Sequence, residues 1–78
     1  MKREYSKQAE KFLLSQNRKT RESIIAAVKE LPAGDVRKMS GRKDTYRLRI
    51  GGFRIIFIIK SSNIYVEKID NRGQAYKH

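Results

Sequence analysis

The first part of the chain repeats its apolar residues with the period of a helix. One face of each predicted helix carries them: Ala9, Phe12 and Leu13 in the first, and Ile24, Ile25, Val28 and Leu31 in the second. Ser6 is a favourable N-cap for the first helix, and residues 17–20 form a polar break. The second helix is predicted over Arg21 to Leu31 and ends at Pro32 and Gly34. Two antiparallel helices joined by a tight connection are therefore expected.

The rest of the chain has the period of β-strands. Residues 45–50 alternate apolar and polar side chains, which predicts a half-buried strand. Gly51-Gly52 then predicts a two-residue hairpin turn of type I′, in which both residues need positive φ. Residues 53–60 are nearly all apolar, so this second strand is expected to be central. After a turn at residues 61–63, residues 64–69 form a third strand.

The remaining segments are polar or short. Residues 36–43 are predicted to be a loop, residues 70–73 to end the third strand, and residues 1–5 to be a possible edge strand. The whole chain, residues 1–78, is thus expected to be a single α+β domain. Its two N-terminal antiparallel helices pack on a mainly antiparallel sheet of three to four strands.

The predicted hairpin register brings three arginines to one sheet face. In a two-residue hairpin Arg49 pairs directly with Arg54, and Arg47 lies on the same face opposite Ile56. Neither strand carries an acidic residue, and like charges directly opposite each other are destabilising. We therefore expect this face to bind phosphate, which the planar guanidinium fork suits. The alternative is a solvated face with arginines as ordinary surface residues.

The charge of the chain supports a polyanionic partner. Its 78 residues carry 19 Lys+Arg and 8 Asp+Glu, a net charge of +11. Residues 1–36 hold eight basic and five acidic residues (net +3), and residues 37–78 hold eleven and three (net +8). The chain has no cysteine and one histidine, so no disulfide, metal site or cofactor is expected. Its longest apolar run is too short to cross a membrane, and we expect a cytoplasmic protein.

Cleavage of RNA by its own 2′-hydroxyl would need charge neutralisation at the phosphate and proton transfer at both ends of the bond. One histidine cannot supply an acid–base pair, and Glu67 is expected to be a surface strand residue. Tyrosine is the remaining candidate. Tyr46 should face the helices, Tyr65 is ambiguous, Tyr5 belongs to the possible first strand, and Tyr76 lies in the basic C-terminal tail.

Several segments together resemble the RelE/ParE toxin superfamily. Residues 45–57, Thr-Tyr-Arg-Leu-Arg-Ile-Gly-Gly-Phe-Arg-Ile-Ile-Phe, resemble its arginine-bearing hairpin. Residues 38–41, Lys-Met-Ser-Gly, are similar to the motif that precedes this hairpin, and residues 6–13 are similar to the first helix of the family. Arg72 and Tyr76 resemble its closing Arg-x-x-x-Tyr. The resemblance covers nearly the whole chain with the order preserved.

The resemblance implies the toxin of a type II toxin–antitoxin pair, with a cognate antitoxin, the ribosome and mRNA as partners. Its RelE-like branch cleaves mRNA in the ribosomal A site without a metal. By position, the catalytic residues would be Arg54, Arg72 and Tyr76, and the RNA-binding residues Arg47, Arg49, Lys43 and Lys77. Some members carry a lysine, the presumed general base, where this chain has Thr45. The base is therefore unassigned here, with Arg47, Lys43 and His78 as candidates.

Two other functions stay open at this point. A ParE-like toxin would inhibit DNA gyrase and cleave nothing, although such a toxin has no need of the Arg72–Tyr76 pair. A non-catalytic RNA-binding module would keep the charge and the fold and would tolerate the loss of Tyr76.

Overall fold

The computed structural model describes residues 2–71, which form two helices and a five-stranded sheet. In chain order the elements are β1 Arg3–Tyr5, α1 Lys7–Ser15, α2 Arg18–Lys29, β2 Asp35–Lys38, β3 Thr45–Ile50, β4 Phe53–Lys60 and β5 Asn63–Asn71. The strand order is β1-β5-β4-β3-β2, with every pair antiparallel except β1 and β5. The expected α+β architecture is confirmed, and the apolar β4 is the central strand.

The two edge strands of the sheet, β1 and β2, come from segments with no clear apolar alternation. β1 pairs with β5, so the possible N-terminal edge strand is present. β2 pairs with β3, so the loop predicted over residues 36–43 is wrong for its first part. An edge strand needs few apolar residues, because one of its sides and one of its edges face solvent. In β2 only Val36 packs against the core.

Each helix begins after a residue whose side chain caps its N-terminus. The Ser6 hydroxyl accepts a hydrogen bond from the backbone N–H of Ala9, as predicted for the start of α1. The side chain of Asn17 accepts one from the N–H of Thr20, so α2 begins at Arg18, three residues before the predicted start. The segment predicted to be a polar break is therefore mostly the cap and first turn of α2.

The core lies between the two helices and one face of the sheet. Its buried residues are Ala9, Leu13, Ile24, Val28, Leu31, Leu48, Ile55, Phe57, Ile64, Val66 and Ile69. Tyr46 packs against this core and stacks on Phe57, with ring centroids 5.7 Å apart, so it faces the helices as predicted. Within residues 2–71, no helix is long and apolar enough to cross a membrane.

β1 is tied to the far end of α2 by one side chain. The Arg3 guanidinium donates hydrogen bonds to the carbonyls of Val28, Lys29 and Leu31 at 2.9, 2.8 and 2.9 Å. These carbonyls lie at the helix end, where backbone acceptors lack helical partners and the helix dipole favours a cation. Arg3 is therefore a structural residue, although it contributes to the basic charge of the chain.

The β3–β4 hairpin has the predicted register, with Ile50 opposite Phe53. Gly51 has a φ of +55°, but Gly52 does not lie in the positive-φ region, so the predicted type I′ turn is wrong at its second residue. A type II′ turn needs positive φ only at its first central residue and gives the same two-residue register.

Candidate nucleic-acid interface

The sheet face opposite the helices, called the open face below, carries most of the predicted binding residues. Side chains alternate along each strand, so the core residues of β3 and β4 leave Arg47, Arg49 and Arg54 on the open face. The predicted convergence of these three arginines is present. Strand pairing extends it into two rows that cross the sheet from β2 to β5.

The first row contains two arginines between two aspartates: Asp35, Arg49, Arg54 and Asp70. Arg49 and Arg54 lie directly opposite each other, as predicted, and each has an aspartate opposite it on its other side. Asp70 binds Arg54 through both carboxylate oxygens, with Nε–Oδ1 and Nη2–Oδ2 distances of 3.2 and 2.9 Å. The formal charges of the first row therefore cancel.

The second row lies two residues further along the strands and contains only cations around one apolar residue: Arg37, Arg47, Ile56 and Lys68. Ile56 is only 6 % exposed although it points away from the main core. The Nε atom of Arg47 is buried and has no hydrogen-bond partner among residues 2–71. An unpaired buried donor costs about 1–3 kcal/mol. The second row therefore holds three cations and no carboxylate, and of these cations Lys68 has its Nζ 4.0 Å from Oδ2 of Asp70 in the first row.

A β-bulge in β5 places Asp70 opposite Arg54. The register between β4 and β5 shifts by one residue, because Phe57 pairs with Val66 and Ile56 pairs with Lys68. Without this shift Ile69 would lie opposite Arg54. The predicted end of the third strand before Asp70 is also wrong, because β5 continues to Asn71. The extra residue thus places the carboxylate of Asp70 opposite Arg54, near the end of β5.

The predicted RNA-binding residue Lys43 lies outside both rows. It precedes β3 in the loop that connects β2 to β3, at the opposite end of β3 from Arg49, and it lines a cleft of about 470 Å³ formed by residues 38–43. Its carbonyl accepts a hydrogen bond from the Thr45 hydroxyl at 3.0 Å. Thr45 is 1 % exposed and its hydroxyl donates to this loop, so it is not accessible to a substrate.

Glu67 is held in an ion pair that reaches from this loop across β4. Arg42 donates to both of its carboxylate oxygens, each at 2.9 Å. These hydrogen bonds lower the pKa of Glu67, which keeps the carboxylate ionised and makes it a poor proton acceptor. The expectation that Glu67 is a surface strand residue rather than a base agrees with this geometry.

The candidate tyrosines Tyr5 and Tyr65 belong to neither row. Burial raises the pKa of Tyr5, which packs against the helix-side core. Tyr65 lies opposite Ile58 and is 41 % exposed. Among residues 2–71, no three His, Asp or Glu side chains are grouped so that they could hold a metal.

Four predicted residues lie outside the described part of the chain: Arg72, Tyr76, Lys77 and His78. Their assignments as a second phosphate-binding arginine, an acid/base or stacking tyrosine, an RNA-binding lysine and a candidate base stay predictions. β5 leads directly to them, since Asn71 is its last residue.

Comparison with known proteins assigns the chain to a family. Residues 3–76 match the family described as the ParE toxin of the type II toxin–antitoxin system parDE. No curated protein sequence matches this chain.

Solved structures share its fold. The RelE–RelB complex from Pyrococcus horikoshii has a TM-score of 0.74 at 25% identity, with 94% of this chain and 96% of that chain covered. The RelB–RelE complex from Methanococcus jannaschii has a TM-score of 0.75 at 22% identity and 92% and 93% coverage. A free E. coli RelE with two arginines replaced by alanine has a TM-score of 0.71 at 19% identity and 97% and 86% coverage. The chain therefore belongs to the RelE/ParE superfamily, as a toxin of a type II toxin–antitoxin system.

Proposed function

We propose that this toxin is a ribosome-dependent mRNA interferase, an endoribonuclease that cleaves mRNA in the ribosomal A site through attack by the 2′-hydroxyl. The observation that carries the proposal is the open face, where Arg47, Arg49 and Arg54 lie on two adjacent strands. The two helices pack on the other face, so a strand of RNA can approach these side chains directly.

In this proposal Arg54 stabilises the transition state. Attack on phosphorus adds negative charge to the non-bridging oxygens, and a guanidinium that is already oriented stabilises that charge at little reorganisation cost. Asp70 provides the orientation, since it holds Arg54 by two hydrogen bonds. Arg49 supplies a second cation directly across the hairpin, so the phosphate would lie between two adjacent strands.

Proton transfer is assigned to the C-terminal segment. Glu67 is paired with Arg42, which makes it a poor proton acceptor, and Thr45 is buried, so neither is well placed to accept the 2′-hydroxyl proton. We assign Tyr76 the role of acid, base or stacking group and Arg72 the role of an additional phosphate contact, both by resemblance. The proposed partners are the ribosome, mRNA and a cognate antitoxin, whose acidic residues would complement the net charge of +11.

Expression in a bacterial host separates this function from gyrase inhibition. We expect growth arrest, with primer extension showing cuts at fixed codon positions in translated mRNA. Arg54→Ala should abolish the cuts by reducing the rate about 10²–10³-fold, the usual loss for one charge-stabilising donor. Lys11→Ala, which removes the same charge from an exposed position on α1, is the matched control.

Replication arrest with intact mRNA would contradict the proposal and favour a gyrase inhibitor. Binding of RNA without cuts or growth arrest would favour the non-catalytic module. Tyr76→Phe separates two roles of the tyrosine, because loss of cleavage indicates the hydroxyl and retention indicates stacking.

A further inference from the structure

We propose that the second row is a separate phosphate site, formed by Arg37, Arg47 and Lys68, that binds the phosphate next to the scissile one. This inference rests on the proposed function, because it takes the open face to bind RNA. It adds two residues, Arg37 and Lys68, that the sequence patterns did not identify as binding residues.

The distribution of charge between the rows carries the inference. In the first row each arginine has an aspartate opposite it, and Asp70 occupies two donors of Arg54. In the second row no position carries a carboxylate. An anion that reaches the open face therefore meets no carboxylate opposite Arg37 or Arg47, whereas the formal charges of the first row cancel. Lys68, the third cation of the second row, is partly compensated, since its Nζ lies 4.0 Å from Oδ2 of Asp70.

The spacing of the rows fits a polynucleotide. The rows lie two residues apart along antiparallel strands, about 6.8 Å. This separation is in the same range as that of neighbouring phosphates along an extended RNA strand. One phosphate at the Arg49–Arg54 pair thus places its neighbour close to Arg47.

Within the second row Arg47 and Lys68 lie on either side of Ile56, and Arg37 lies beyond Arg47. Arg37 and Arg47 are directly opposite each other on neighbouring strands, about 5 Å apart at the backbone. Lys68 lies two strands from Arg47, roughly 10 Å, with Ile56 between them. Long side chains on both sides of a shielded apolar residue can converge above it on one anion.

Binding of a short RNA at several salt concentrations tests the site. The probe is a 2′-O-methyl RNA trinucleotide, which has two phosphodiesters and no 2′-hydroxyl that could attack. We expect Arg37→Gln and Lys68→Gln each to weaken binding about fivefold or more at low salt. Loss of one phosphate contact should also reduce the slope of log K against log salt by about 0.7.

Lys38→Gln is the matched control for Arg37→Gln. Lys38 is the next residue of β2, is also exposed and loses the same charge, but it pairs with Tyr46 and belongs to the other face. We expect it to change affinity only slightly and to leave the slope unchanged. Equal slopes and equal affinities for the Arg37→Gln and Lys38→Gln proteins would overturn the inference.

Cleavage on programmed ribosomes distinguishes this site from the proposed function. Arg37→Gln should raise KM with kcat nearly unchanged, whereas Arg54→Ala should lower kcat. If the trinucleotide binds as expected but no mRNA is cut, the phosphate site stands and the proposed enzyme fails. If mRNA is cut and Arg37→Gln behaves as the control does in both assays, the second site alone fails.

Discussion

Replacement of Asp70 by asparagine is the simplest test of how the Asp70 charge affects phosphate binding at Arg54. Asparagine keeps one oxygen that can accept a hydrogen bond from Arg54, but it removes the negative charge that lies 2.9 Å from Nη2. The pair is partly exposed, with 40 % and 27 % of the two side chains accessible, so its loss should reduce stability by about 1 kcal/mol or less. The folded protein should therefore remain available for binding measurements.

The effect on binding can be worked from Coulomb's law. A phosphate bound to Arg54 on the side away from Asp70 would lie about 6 Å from the carboxylate, and at an effective dielectric constant of about 40–80 their repulsion is about 0.7–1.4 kcal/mol. Removal of this repulsion should tighten RNA binding roughly three- to tenfold. The cleavage rate should fall, because a neutral amide orients the guanidinium less firmly than a bidentate carboxylate does.

The assay is binding of the 2′-O-methyl trinucleotide, together with single-turnover cleavage on ribosomes. Glu10→Gln, an identical charge change at an exposed position of α1, controls for the overall charge of the protein. Weaker RNA binding by Asp70→Asn, or binding equal to that of Glu10→Gln, would refute the reasoning. So would a cleavage rate above that of the wild-type protein.

Three further predictions concern stability. Arg3→Ala should lower the free energy of unfolding by about 2 kcal/mol, or Tm by roughly 8–16 °C, because three carbonyls lose a charged donor. Arg3→Lys should recover part of this stability. A loss below about 0.5 kcal/mol for Arg3→Ala in chemical denaturation would contradict the structural role of Arg3. Ser62→Gly should stabilise the protein by about 0.5–1 kcal/mol, because Ser62 has a φ of +63°; a lower denaturation midpoint would count against it. The ion pair with Arg42 lowers the pKa of Glu67, so its stabilisation is present above about pH 4.3 and is lost as the pH falls through the folded-state pKa. Denaturation should thus show a smaller loss of stability between about pH 6 and pH 3 for Glu67→Gln than for wild type, and parallel pH profiles would disprove the contribution.

The sequence alone was sufficient to predict the register of the hairpin that carries the arginines. A two-residue turn fixes the register, and alternation then places Arg47, Arg49 and Arg54 on one face without knowledge of the other strands. This is why the predicted cluster is present although the turn type and the number of strands were not predicted correctly.

The partner of Arg54 could not be obtained in the same way. A regular strand after the Ser61–Ser62 turn would place Ile69 opposite Arg54, and only the bulge brings Asp70 there. One signal of the bulge is present in the sequence, because the apolar residues Ile64, Val66 and Ile69 change their spacing from two to three. The position of Arg37 depends similarly on β2, a polar edge strand that lacks an apolar alternation.

The most direct test of the central claim is single-turnover cleavage of an mRNA bound to purified ribosomes by the purified toxin. We expect cleavage by the wild-type protein, loss of cleavage when the nucleotide 5′ of the cut carries a 2′-deoxyribose, and a rate about 10²–10³-fold lower for Arg54→Ala. Cleavage by Arg54→Ala at the wild-type rate, or cleavage of the deoxy-substituted mRNA at the same bond, would contradict it.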